Sequence, residues 1–228
     1  MISDNLQFIR RQITAIADRC GRNSEDIRLV AVSKTLPVAA MKEAVTSGQF
    51  LFGENYIQEA EKKFEELGNQ VQLHFIGHLQ SNKAHIAAGI FQMIQTVDRF
   101  KLALSLNRHL GQVGRTMDIL IQVNIGRDEN KSGVSPADTE DLLKKIAPLS
   151  NLRIRGLMTI PPFFEDPEKS RPSYRGLRQL AEDLQGKKLF YDNTLVELSM
   201  GMSHDYPVAI EEGATLLRIG TALFGDRA

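Results

Sequence analysis

The sequence has no tryptophan, a single cysteine and no surplus of either charge, with 28 Lys and Arg against 28 Asp and Glu over 228 residues. One cysteine excludes an internal disulfide, and Cys20, at the end of an apolar helical stripe, reads as a small packed hydrophobe. Zero net charge without tryptophan argues against a dedicated nucleic-acid binder. The longest strictly apolar runs are four residues, 29–32 and 38–41, too short for a membrane span or a signal-peptide core. The expectation is a soluble cytoplasmic protein with neither membrane nor nucleic acid as partner. At 42% hydrophobic and 25% charged residues, disorder and low complexity are excluded. A domain of this size buries roughly 70–75% of its unfolded surface and needs no covalent or metal staple. No linker-like stretch interrupts residues 1–228, so one domain is expected.

What the chain has is alternation. Leu6, Ile9, Ile13, Ile16 and Cys20 recur at helical spacing, with Ser3 as a candidate cap and Gly21 as a stop. Eight strand-like segments follow, at 28–33, 50–52, 72–76, 91–95, 117–123, 152–157, 195–198 and 215–219. Helical patterns lie between them, among them one opened by Asp98 and a last one from His204 to Glu212. Strands separated by helices pair in parallel, and eight is the number that closes a (β/α)8 TIM barrel. An open doubly wound sheet is the competing architecture. The longest irregular segment, 159–173, holds four of the eight prolines and reads as a stiff surface loop or a lid.

Barrel sites lie at the carboxyl ends of the strands. There the sequence offers Lys34 after the first strand, Asn55 after the second and His78 after the third. Met158 follows the sixth, Ser199-Met200-Gly201-Met202-Ser203 the seventh and Gly220-Thr221 the eighth, with Arg218 inside that last strand. A lysine at the rim of an apolar barrel can lose part of its solvation, which exposes a neutral amine able to condense with an aldehyde or ketone. A solvated strand-end lysine is the plainer alternative. The loops after strands seven and eight are where barrels often hold phosphate. Gly201 and Gly220 let backbone N–H groups approach an anion, and Ser203 can cap the helix that follows strand seven. His74 and His78 have zinc-like spacing but no accompanying ligand cluster, so no metal is expected. Glu211-Glu212 reads as a solvated face, and Asp128-Glu129-Asn130-Lys131 as a charged loop tip.

Six collinear stretches carry a resemblance. They are Ala31-Val32-Ser33-Lys34-Thr35, Phe52-Gly53-Glu54-Asn55-Tyr56, His74 through Lys83, Gly156-Leu157-Met158-Thr159-Ile160, Leu198 through Ser203, and Arg218 through Gly225. Together they resemble the pyridoxal phosphate homeostasis protein family, related to the amino-terminal barrel of alanine racemase. The resemblance implies an alanine racemase-like barrel (fold type III) with an extra amino-terminal helix. It implies pyridoxal 5′-phosphate (PLP) as cofactor, held as an internal aldimine by Lys34. It implies phosphate contacts from Ser199, Ser203, Gly220 and Thr221, and Arg218 facing the pyridine nitrogen. Asn55, His78, Met158 and Met200 would line the pocket.

An arginine only donates hydrogen bonds, so against the pyridine nitrogen it favours an unprotonated ring, a weaker electron sink. Racemisation further needs a second base, which alanine racemase takes from a carboxy-terminal β domain. No such domain is expected here, and Tyr56 and Tyr206 are the conceivable substitutes. The expected function is therefore binding, buffering or delivering PLP, with effects on amino-acid and keto-acid balance and without robust catalysis. The expected partners are PLP and the enzymes that accept it, and the expected oligomeric state is a monomer. A small PLP-dependent amino-acid racemase and a cofactor-free Schiff-base aldolase are the alternatives.

Overall fold

The computed structural model describes residues 1–126 and 131–225, so positions 128–130 of the charged tip lie outside the described residues. Its chain order is α1 (Ile2–Arg19), β1 (Arg28–Val32), α2 (Val38–Thr46), β2 (Leu51–Glu54), α3 (Ile57–Leu67) and β3 (Gln72–Phe75). Then come α4 (Ala84–Ile90), β4 (Met93–Val97), α5 (Phe100–Gln112), β5 (Met117–Gln122), α6 (Pro136–Ile146) and β6 (Leu152–Met158). The order closes with α7 (Arg171–Gly186), β7 (Glu197–Met202), α8 (Tyr206–Glu211), β8 (Leu216–Ile219) and α9 (Thr221–Phe224). The strands form a closed parallel barrel in sequential order, β1 pairing with both β2 and β8. The expected (β/α)8 architecture with an extra leading helix is the observed one.

Two apolar layers divide the work. Outward strand residues such as Ala31, Phe52, Phe75, Ile94, Ile119 and Leu157 pack under the helix ring in one large core. Val30, Leu51, Met93, Leu120, Met158 and Leu216 fill the barrel interior as a separate cluster. This period-two split is what a barrel wall buried on both faces requires. Helix α1 lays Leu6, Ile9, Ile13, Ile16 and Ala17 against that outer layer, packing on α2, α8 and α9.

Several local expectations are corrected. Cys20 is exposed at the C-cap of α1, one residue past the helix, and Ala17 takes the buried place. Ser3 lies inside α1, whose N-cap is Met1. Asp98 does not cap α5; it pairs with Arg99, the N-cap residue, at 2.5 Å. Glu212 is not a solvated face: it is 4% exposed and binds Arg171 and Arg175, with Arg178 at 3.5 Å. The largest difference is β7, which runs to Met202 rather than ending at 198. Gly201 makes this extension possible. Its φ of +91° shifts the register against β8 between Ser199 and Met202, and a Cβ there would stand 2.6 Å from that of Ala209. A bulge of this kind re-aims the side chains on either side of it.

Candidate functional site

A cavity of about 360 Å³ opens at the carboxyl ends of the strands. Lys34, Asn55, Ser203, Arg218, Gly220 and Thr221 line it, together with Val32, Ile76, Ile160, Phe163, Phe164, Met202, His204 and Asp205. Six of the ten sequence-predicted site residues therefore share one cavity. His78 is exposed and lines the adjoining cleft with Asn55, Gly77 and Gln122. Met158 belongs to the barrel's inner apolar cluster, and Met200 faces the other way, into the outer core. Neither methionine lines the cavity. Strand alternation along β7 explains Met200: Ser199 turns inward, so Met200 turns outward.

Lys34 is held from behind. The Lys63 ammonium, on α3 and almost fully buried, donates to the Ser33 carbonyl, Glu54 Oε1 and Glu59 Oε1, each at 2.7 Å. Glu54 also accepts the Ser33 hydroxyl at 2.6 Å, and Glu59 accepts the Thr35 amide at 2.6 Å. Both peptide neighbours of Lys34 are thus clamped, and Thr35 is kept at a φ of +63°. That left-handed backbone is costly for a β-branched residue and persists only where the surroundings enforce it. Burial pushes the Glu54 carboxyl up despite its Lys63 and Ser33 partners. Asn55 is set by close backbone approach: a Cβ on Gly77 would lie 2.2 Å from the Asn55 carbonyl oxygen.

One side of the cavity is the turn between β8 and α9, where Gly220 and Thr221 line it beside Ser203. Ser203 does not cap α8 as expected. Its Oγ instead accepts the amides of Gly220 and Ala222, each at 3.2 Å. Asp205 ties this loop together: Oδ1 accepts the Met202 amide, and Oδ2 accepts the Ser170 and Tyr174 hydroxyls. Burial and the Asp205 charge push the Tyr174 phenol well above its usual range. A Ser203→Ala protein is expected to lose about 1 kcal/mol of stability as these two amides lose their acceptor. Thermal denaturation without ligand checks it, and saturating inorganic phosphate, which can accept the same amides, should recover part of the loss.

Arg218 spans the cavity floor. It is 4% exposed, and burial lowers its pKa to about 10. It donates to two neutral oxygens, Ser199 Oγ at 2.6 Å and the Thr159 carbonyl at 2.8 Å. Ser199 in turn reaches across the barrel to Gln95 Oε1 at 2.6 Å, and Gln95 Nε2 lies 2.9 Å from His74 Nδ1. The Ser199 hydroxyl is therefore engaged with Arg218 and Gln95, away from the Gly220 turn.

His74, fully inside the wall, has its pKa lowered to about 3 by burial and by the charge of Arg28. A group whose folded pKa is depressed below its unfolded value takes up protons on unfolding, so it weakens the fold as acidity rises. Stability is expected to fall as pH drops from about 6.5 towards 3, with a slope of about 1.4 kcal/mol per unit from this group. Denaturant unfolding at several pH values should show a shallower slope in His74→Gln.

The 159–173 segment walls one side of the cavity. Ile160, Phe163 and Phe164 line it, and the Phe163 ring, 74% exposed, lies 5.5 Å from that of His204. His204 Nε2 is 2.9 Å from the Glu165 carbonyl, which ties the segment to the loop after β7. Of the two candidate second bases, Tyr56 is exposed and Tyr206 is buried at the start of α8; neither ring lines the cavity. Sequence reasoning missed Gln95, Glu54, Lys63 and the two phenylalanines. The detectable signal was a polar residue at an inward strand position, Gln95, and a glutamate ending an otherwise apolar strand, Glu54.

Comparison with known proteins agrees with this fold. The family described as alanine racemase, N-terminal domain, matches residues 5–228. The pyridoxal phosphate homeostasis protein of Escherichia coli K12 is 44% identical over 230 residues, covering 99% of this chain and 97% of that one. The solved structure of PipY from Synechococcus elongatus with PLP bound superposes with a TM-score of 0.85 at 37% identity, covering 99% of this chain and all of that one. Alanine racemase from Clostridium difficile, at 14% identity and a TM-score of 0.70, shares the fold over 98% of this chain and 57% of its own. No helix among the described residues is long and apolar enough to cross a membrane. The chain belongs to the alanine racemase N-terminal domain family and, within it, to the pyridoxal phosphate homeostasis proteins.

Proposed function

We propose that this protein binds PLP reversibly through Lys34 and holds it for release to other amines and to enzymes that need it. The observation that carries the reading is the cavity's donor set. It joins an amine, a buried guanidinium that donates to the Ser199 hydroxyl and the Thr159 carbonyl, and a turn of backbone amides around Ser203. These match the three polar features of PLP: an aldehyde, a ring nitrogen and a phosphate. The cofactor's chemistry is condensation of its aldehyde with an amine, with loss of water.

Lys34 supplies that amine, and the Lys63 clamp fixes the backbone on either side of it. Ser203, Gly220 and Thr221 offer hydroxyl and amide donors to the phosphate. Arg218 presents N–H groups to the ring nitrogen and, being cationic and donor-only, keeps it an acceptor. Phe163 and Phe164 shield one side from water. Asn55 lines the cavity beside Lys34, and His78 stands at the adjoining cleft. Neither Tyr56 nor Tyr206 is placed to serve as a second base, which favours holding over racemising.

Titrating the pure protein with PLP tests this. The expected result is a saturable visible absorption band that an added primary amine bleaches as the cofactor leaves. A folded protein that develops no band contradicts the reading and favours the cofactor-free Schiff-base aldolase.

A further inference from the structure

A line of polar side chains crosses the barrel below the cavity. Arg218 on β8, Ser199 on β7, Gln95 on β4 and His74 on β3 are joined by contacts of 2.6, 2.6 and 2.9 Å. All four are at least nine-tenths buried. The direction of the chain is fixed from one end. A guanidinium can only donate, so Ser199 Oγ accepts from it and turns its own hydrogen to Gln95 Oε1. The Gln95 amide nitrogen is likewise a donor, which makes His74 Nδ1 the acceptor and leaves the proton of the neutral imidazole on Nε2. His74 borders a second, polar cavity at the amino ends of the strands, beside Arg28 and Gln92.

We infer that Gln95 and His74 are positioning residues which, through Ser199, orient the Arg218 guanidinium towards the cofactor ring. The inference rests on the proposed PLP site. The three groups behind Arg218 in the relay are neutral, and the buried Asp205 carboxylate acts on the guanidinium through its charge, with no hydrogen bond between them among the described contacts. The ring nitrogen then meets a fixed cationic donor and cannot take a proton from it. Two acceptors, Ser199 Oγ and the Thr159 carbonyl, pin two of the guanidinium's N–H groups. Its remaining N–H groups are left for the cavity that Arg218 lines. A relay that stops at Ser199 would let that hydroxyl rotate and let the guanidinium swing with it.

The test uses PLP labelled with ¹⁵N in the ring, bound to the full chain, and reads both affinity and the ring-nitrogen resonance. The unchanged protein is expected to show an unprotonated, hydrogen-bonded nitrogen. In Gln95→Leu and His74→Phe the affinity is expected to fall about tenfold, as a hydrogen bond to a charged group loosens. The resonance should also move towards that of a ring nitrogen without a donor. His74→Gln, whose side-chain oxygen can still accept, should recover most of what His74→Phe loses. If Gln95→Leu does not fold, the two His74 variants carry the comparison. Folded variants with unchanged affinity and an unmoved resonance overturn the inference while leaving PLP binding intact. Failure of the unchanged protein to bind PLP overturns the binding reading and this inference with it.

Discussion

A Lys63→Met protein is expected to melt roughly 10 °C below the unchanged one. The ammonium of Lys63 is the centre of a buried network whose side chains at residues 63 and 54 are 4% and 0% exposed. Removing one partner of a buried ion pair costs about 3–5 kcal/mol, because the other is left uncompensated. In a chain of this size each kcal/mol moves the midpoint by about 2–4 °C. The Ser33 carbonyl loses its donor in the same step.

The sign of the pH dependence identifies the cause. Burial already raises the Glu54 carboxyl, and removing Lys63 raises it further. A carboxyl with a raised folded pKa regains stability as pH falls through that value, because the buried group becomes neutral. The deficit in Lys63→Met should therefore narrow on acidification below neutrality. Calorimetry at neutral and mildly acidic pH measures both effects. A midpoint within a degree or two of the unchanged protein would show that the clamp contributes nothing.

The second large effect falls on binding. Lys34→Ala should develop no saturable visible band at PLP concentrations that saturate the unchanged protein, since no other amine among the described residues lines the cavity. Its thermal midpoint should shift by no more than about 2 °C, because Lys34 is only part-buried at the cavity rim and such positions contribute little to the fold. Weak binding through the Ser203 turn and Arg218 should survive as ligand-dependent protection against heating. The contrast would separate the two lysines: loss of Lys63 is expected to act on the fold, and loss of Lys34 on the ligand.

Much of this was legible in the sequence because it rests on local signals. Strand count and helical spacing led to the closed barrel, and small residues after strands seven and eight pointed to the turn that walls the cavity. Lys34, Asn55, Ser203, Arg218, Gly220 and Thr221 converge as expected because each follows or ends a strand whose carboxyl end was placed correctly. Met200 and Ser199 depart from expectation because both lie within β7, not in the loop after it: Met200 faces the outer core and Ser199 is engaged with Arg218 and Gln95. Gly201, at a φ of +91°, reads as a turn residue in isolation, yet the bulge it forms keeps β7 going to Met202. That single extension decides which side chains face the cavity, the barrel axis or the helices.

The Lys63 clamp was invisible for a different reason. Lys63, Glu59 and Glu54 lie on two elements and look like an ordinary charged helix face plus a strand end. Only packing shows that α3 turns Lys63 inward onto β2. The relay from Arg218 to His74 likewise joins strands on opposite walls of the barrel, a relation no linear pattern records.

The measurement that bears most directly on the central claim is borohydride reduction of the PLP-treated protein, followed by peptide mass mapping. The account predicts one phosphopyridoxyl group, on the peptide carrying Lys34, and none in Lys34→Ala. A folded protein that gains no adduct, or gains it on surface lysines while Lys34 stays unmodified, would contradict it.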